Sequence, residues 1–195
     1  MPDTEKRRRL QARLSFEPDR TDFGVLLPAT RRALDSVDPM AMLAEAFLDE
    51  RILLVAGSPV ALMRGAVAAF TSLEVLKDWR ADARPVVKSG QDAALLAVAL
   101  GYPRLLVDAK WVLPRPAIEA LAAGDLWLPP WKDRDFLVEV GENVKIIPST
   151  EPLVIEVYAK TRRGAEAEIK RLSRLPRLGT IAENVEFRPR QREDA

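Results

Sequence analysis

AVAAFTSLEVLKDWRADARPVVKSGQDAALLAVALGYPRLLVDAKWVLPRPAIEALAAGDLWLPPW, residues 66–131, is the stretch whose reading decides the fold. Ala66–Phe70 is short, apolar and preceded by Gly65, which suits a buried strand. Thr71 with Glu74 three positions on reads as a capping box, and Phe70 with Val75 as its hydrophobic staple. Leu73, Leu76 and Trp79 then line one side of a short helix. Capping accounts for these residue types without any ligand. Arg84–Lys88 reads as a second strand, and Pro85 puts it near a sheet edge. Ser89 caps the next helix, Asp92 favours its positive end, and Gly101 stops it in a left-handed conformation. Arg104–Val107 and Trp111–Leu113 read as two strands joined at Asp108-Ala109-Lys110, with Asp108 as a turn residue. Pro116 belongs in the first turn of a third helix, where its missing amide costs nothing. Ile118, Leu121 and Ala122 form its buried stripe, and Gly124 ends it. The prolines of Leu126–Trp131 make that segment stiff and extended.

Upstream, Asp38-Pro39 opens a helix, with Met42, Leu43, Ala46 and Phe47 at helical spacing and a run that reaches Glu50. Residues 52–73 are uncharged except for Arg64. Gly57, Ser58, Pro59, Arg64 and Gly65 interrupt them where a membrane span would tolerate them poorly. Two strands, Ile52–Val55 and Ala66–Phe70, describe this run better. Phe23–Pro28 is an apolar patch suited to docking on the core. Residues 1–24 form an arm that mixes a basic cluster, Lys6–Arg9, with Asp3, Glu5, Glu17 and Asp19. No apolar stretch follows the cluster, so it does not read as a secretory signal.

Downstream of Trp131 the texture changes. Lys132-Asp133-Arg134-Asp135 reads as a charged, solvated turn at a boundary. Val144–Ile147 and Leu153–Tyr158 read as strands. Gly164 opens a helix with Ala165, Ile169 and Leu172 on its apolar face, ended by Pro176 and Gly179. Val185–Phe187 supplies a last strand. The reading is α+β: a mixed sheet of short strands with short flanking helices over residues 25–131, then a β-β-α-β unit over 132–188 and a polar tail, 189–195. A unit that small is expected to pack on the main core or on a second copy.

The run FTSLEVLKDW, then ARPV, RLLVD, WVLPRPAIEALAAG and WLPPW, resembles the N-terminal domain of SseB-like proteins. The resemblance covers Asp38 to Trp131 and is clearest from Phe70 onward. Between Val55 and Ala66 this chain is shorter than the family pattern. The resemblance implies a small cytoplasmic bacterial α/β module with no agreed active site.

Composition narrows the chemistry. The 195 residues suffice for one domain, or for one domain and an appendage. Thirty basic against 29 acidic residues give a net charge of +1, so no global field draws nucleic acid or membrane. The sequence has no cysteine and no histidine. That removes disulfides, thiolate nucleophiles, Cys/His zinc sites and the commonest general base. No metal or other cofactor is expected. Lys88-Ser89-Gly90 ahead of a helix could offer amides to an anion, but it lacks the glycine spacing and the closing lysine of a phosphate loop.

Two groups of residues are candidates for binding. Trp111, Trp127, Pro129, Pro130 and Trp131 could form a ledge for a protein partner, since tryptophans carry much interface energy and the prolines pre-order the segment. The alternative is that the rings close the core over the third helix. Arg163, Lys170, Arg171, Arg174 and Arg177 form the best basic group, with Lys170, Arg174 and Arg177 able to share a face; RNA contact there competes with a plain solvated face. The functional expectation is a non-enzymatic cytoplasmic regulatory or scaffold protein that works through protein–protein contacts, without membrane association and with a homo-oligomer left open. An RNA-associated accessory protein and a carboxylate- or lysine-dependent enzyme stand as alternatives.

Overall fold

A computed structural model describes residues 24–57 and 60–191. Its centre is the strand Ala66–Phe70 (β3), buried along its whole length. Arg51–Val55 (β1) pairs antiparallel with the end of β3, at Leu53–Phe70 and Leu54–Ala69. The two-residue strand Leu62–Met63 (β2) pairs with the start of β3, so the two short strands share one of its edges. Leu105–Val107 (β5) runs parallel along the other edge. Pro85–Ser89 (β4) and Trp111–Leu113 (β6) finish the sheet in the order β4-β1-β3-β5-β6. The proline-bearing strand is therefore at an edge, where a missing amide donor breaks no ladder.

The continuous apolar runs of β1 and β3 follow from cover on both faces. Ile52, Leu54, Val67, Ala69, Leu105, Val107 and Leu113 meet one helical layer. That layer contains Pro28–Leu34 (α1), Pro39–Ala46 (α2), Gly90–Ala99 (α4) and Arg115–Ala123 (α5). Leu53, Val55, Ala68 and Phe70 face Leu76, and Leu73, Val75 and Trp79 pack around them from Leu73–Trp79 (α3). Gly90 is required where α4 passes α2: a Cβ there would lie 2.1 Å from the Phe47 carbonyl oxygen. Gly124 ends α5 at φ 76°, in the left-handed region. Asp108 and Ala109, at φ 52° and 55°, turn β5 into β6, the left-handed pair that a tight hairpin needs.

After the first sheet come Arg134–Val140 (α6), Val144–Ile147 (β7), Leu153–Ala159 (β8), Arg162–Leu172 (α7), Pro176–Ile181 (α8) and Val185–Gln191 (β9). They build a separate sheet, β7-β8-β9. β7 and β8 are antiparallel, while β8 and β9 are parallel across seven residue pairs, joined through α7 and α8. Phe136, Ile155, Val157 and Leu172 centre its core.

Several local expectations are corrected. Ser72, one residue later than read, caps α3 by accepting from the Val75 amide. Thr71 turns to Asp108 instead, donating its amide at 2.9 Å and its hydroxyl at 2.7 Å to the carboxylate. The helix α1 was not foreseen. Its first amides, of Ala29 and Thr30, donate at 2.8 Å to Glu50, which lies beyond the end of α2 and not in its run. The charged turn at 132–135 is the start of α6, with Asp133 as its cap. α7 begins at Arg162 under a Thr161 cap, not at Gly164. It stops at Leu172, and Pro176, placed where a helix begins well, starts α8. The basic cluster Lys6–Arg9 lies outside the described residues.

Candidate interaction surfaces

The tryptophan segment runs extended from α5 toward α6, so its side chains alternate. Leu126 and Leu128 point outward, at 61% and 54% exposure, while Trp127 points inward at 7%. Pro129 and Pro130 are buried beside it. Trp127 and Trp131 meet edge to face, with ring centroids 5.7 Å apart, a favoured geometry for aromatic quadrupoles. Trp127 belongs to the helical-layer core, and Trp131 packs against both that core and the core of the second sheet. Trp111 is half-buried at the same core, and the Lys110 ammonium lies 4.6 Å from its ring centroid. The space left around Trp127 and Trp131 is about 10 Å³, room for one water at most. Trp127 and Trp131 thus pack where the two sheets meet, and Trp111 packs on the helical-layer core alone.

Asp38 locks that seam. Its carboxylate accepts from the Trp131 indole at 2.8 Å and the Ser149 hydroxyl at 2.6 Å, and Lys132 reaches it at 2.8 Å. The same side chain caps α2 through the Ala41 amide at 3.5 Å. Burial would raise this carboxyl, yet Lys132, Ser149 and Trp131 together hold it below the ordinary carboxylate range. Sequence reasoning found Asp38 only as a cap. Its other three partners lie more than ninety positions away, which no local pattern reveals.

The basic group divides. Arg171 pairs with Glu168 at 2.7 Å and donates to the carbonyls of Glu139 and Val140 at the end of α6. Arg177, on α8, holds Asp133 through both carboxylate oxygens, with the Nη2 contacts at 2.7 and 2.9 Å. Burial works to raise the Asp133 carboxyl, but these bonds and the Phe136 amide keep it low. Arg177 therefore shares no helix face with Lys170 and Arg174. Arg163, Lys170 and Arg174 remain exposed and form no ion pair with a described residue. Spacings of seven and four put them on one side of α7 and its terminus.

One apolar surface was missed by sequence reasoning. Leu95, Val98 and Tyr102 are 41%, 43% and 40% exposed. Leu95 and Val98, three positions apart, share the side of α4 turned away from the sheet, while Ala93, Ala94 and Ala97 take the buried side; Tyr102 follows just past the left-handed stop at Gly101. The signal was present in the run Ala93–Leu100, which is apolar all round and so exceeds what one buried stripe requires.

Among the described residues, no group of three acidic side chains is placed to hold a metal ion, and no helix is long and apolar enough to cross a membrane. No curated protein matches the chain, and no solved structure does. A family match does exist, and it covers the quoted blocks from FTSLEVLKDW into WVLPRPAIEALAAG, while WLPPW lies beyond it. Residues 63–120, from the end of β2 into α5, match the SseB protein N-terminal domain.

Proposed function

We propose that this chain is a non-enzymatic regulatory or scaffold protein of the cytoplasm, acting through contacts with a protein partner. The observation that carries the reading is the exposure of Leu95 and Val98 on one side of α4, with exposed Tyr102 just past the helix end. Contiguous apolar side chains on an otherwise charged surface are characteristic of contact sites, and tyrosine is enriched at their centres. With Trp127 and Trp131 packed where the sheets meet, this patch is the surface to test ahead of the ledge. The experiment compares capture by the intact chain with capture by the double variant Leu95→Glu, Val98→Glu. The expected result is an unchanged melting temperature and the loss of one specific protein, recovered either as a foreign chain or as a second copy by sedimentation. Equal capture by both forms overturns the reading.

RNA association is the second reading. What supports it is the exposure of Arg163 and Lys170, seven positions apart on α7, and of Arg174 just past its end. Its test belongs to that helix and is argued below.

A further inference from the structure

A cleft of about 450 Å³ opens where the first sheet meets the second unit, a size within the range of small-molecule sites. One wall comes from the first sheet and carries Arg64, Leu106 and Val112; the opposite wall carries Glu151 and Asn184. We propose that this cleft binds a short zwitterion of di- or tripeptide size. Its amine lies against Glu151, its acid against Arg64, and its apolar middle on Leu106 and Val112.

Glu151 supplies the first half of the argument. Its side chain is only 10% exposed. Both of its hydrogen bonds, from Arg104 at 3.2 Å and Asn184 at 3.1 Å, end on Oε1. Among the described residues nothing donates to Oε2, and no buried side-chain oxygen is left without a partner, so Oε2 reaches solvent on a residue that lines the cleft. Arg104 is also shared, since its Nε donates at 2.7 Å to Glu183. Two carboxylates thus face one guanidinium, and this wall carries a surplus negative charge. A neutral ligand would cover that oxygen without replacing its water, at a desolvation cost. An ammonium group supplies both the missing donor and the missing charge.

Arg64 supplies the second half. It sits on the β2–β3 turn at φ 52°, exposed, and its side chain makes no hydrogen bond or ion pair with a described residue. A free guanidinium on a tight turn offers a planar fork for a carboxylate. Leu106 and Val112, adjacent on paired strands, give an apolar floor between the two poles. The volume exceeds what a single amino acid fills. A second or third residue is needed to bring amine and acid to opposite walls.

The test is an amide-resolved NMR titration of the full chain with alanyl-leucyl-alanine, its N-acetylated form and its C-amide. The free peptide should shift the amides of residues 63–66, 105–106, 112 and 184–185. Acetylation should weaken binding at least about tenfold, and amidation several-fold. Arg64→Gln should weaken the free-acid peptide to the level of the amide and leave the amide unaffected. That exposed variant leaves the fold intact. Glu151→Gln should erase the preference for a free amine; if it lowers the melting temperature through loss of the Arg104 contact, the Arg64 comparison still decides. Equal binding of blocked and free peptides, shifts scattered away from these residues, or no shift at about 10 mM peptide each overturn the proposal.

Discussion

Asp108 shows how one carboxylate can join strand, turn and neighbour. It leaves β5 at positive φ, which asparagine and aspartate tolerate better than other side chains. It then accepts both Thr71 groups across the parallel pair β3–β5. Burial pushes its carboxyl up despite these two bonds. A raised carboxyl binds more protons folded than unfolded, so its ionisation costs stability as pH rises from about 4 through the raised value. Asp108→Asn keeps an acceptor for the Thr71 amide and removes the charge. The variant should therefore melt at or above the parent at pH 7.5 and lose that advantage near pH 4. Asp108→Ala should cost about 1–3 kcal/mol by stranding the Thr71 amide. Thermal melts of the three proteins across pH check this. Asp38 runs the other way. Its folded carboxyl lies below the ordinary value, so its contribution is complete above about pH 4 and is lost as pH falls through the lowered value.

At the scale of elements, the helices and strands with local signals were legible. Ser89 and Asp38 cap their helices, Pro116 sits in the first turn of α5 and Gly124 ends it, each where its chemistry indicates. The errors arise where a residue that could act locally is claimed from afar. Thr71 was a sound cap on sequence, and Asp108, thirty-seven positions away, took it. The alternating charges at 132–135 read as solvent-facing, yet Arg177 pulls Asp133 inside. The same long-range pairing reshapes the RNA test. Arg171 is bound into the α6–α7 junction, so reversing its charge would disturb folding and confuse the outcome. Lys170→Glu with Arg174→Glu is the informative pair. If α7 contacts RNA, this pair should abolish a salt-sensitive gel shift while leaving the melting temperature within a degree or two. A shift that survives the double reversal, or none at low salt in the parent, removes the RNA reading.

At the scale of the whole molecule, the two sheets share no strand; the seam of Trp127, Trp131 and Asp38 couples them, together with the contacts of Arg104 to Glu151 and Glu183. Neither the seam nor the cleft beside it could be read from sequence. Asp38, Glu151 and Asn184 are unremarkable where they stand in the chain, and only the docking of the second unit sets them beside Trp131 and Arg104. The coupling makes a specific prediction. Trp127 is nearly closed to solvent within the helical-layer core, so Trp127→Ala should cost roughly 3–5 kcal/mol, the range for truncating a core aromatic. Trp131→Phe is gentler: it keeps a ring between the two cores but removes the indole donor to Asp38, at about 1–2 kcal/mol. If the seam makes the sheets fold as one unit, the parent should unfold in a single step, with tryptophan fluorescence and far-ultraviolet circular dichroism superimposing. Trp131→Phe should keep that coincidence at a lower midpoint. Because every tryptophan lies in residues 66–131, fluorescence follows the first sheet and its seam, whereas circular dichroism follows both sheets. Two separated transitions in the parent would mean that the second sheet opens independently, and that the seam is a contact between units and not a shared core.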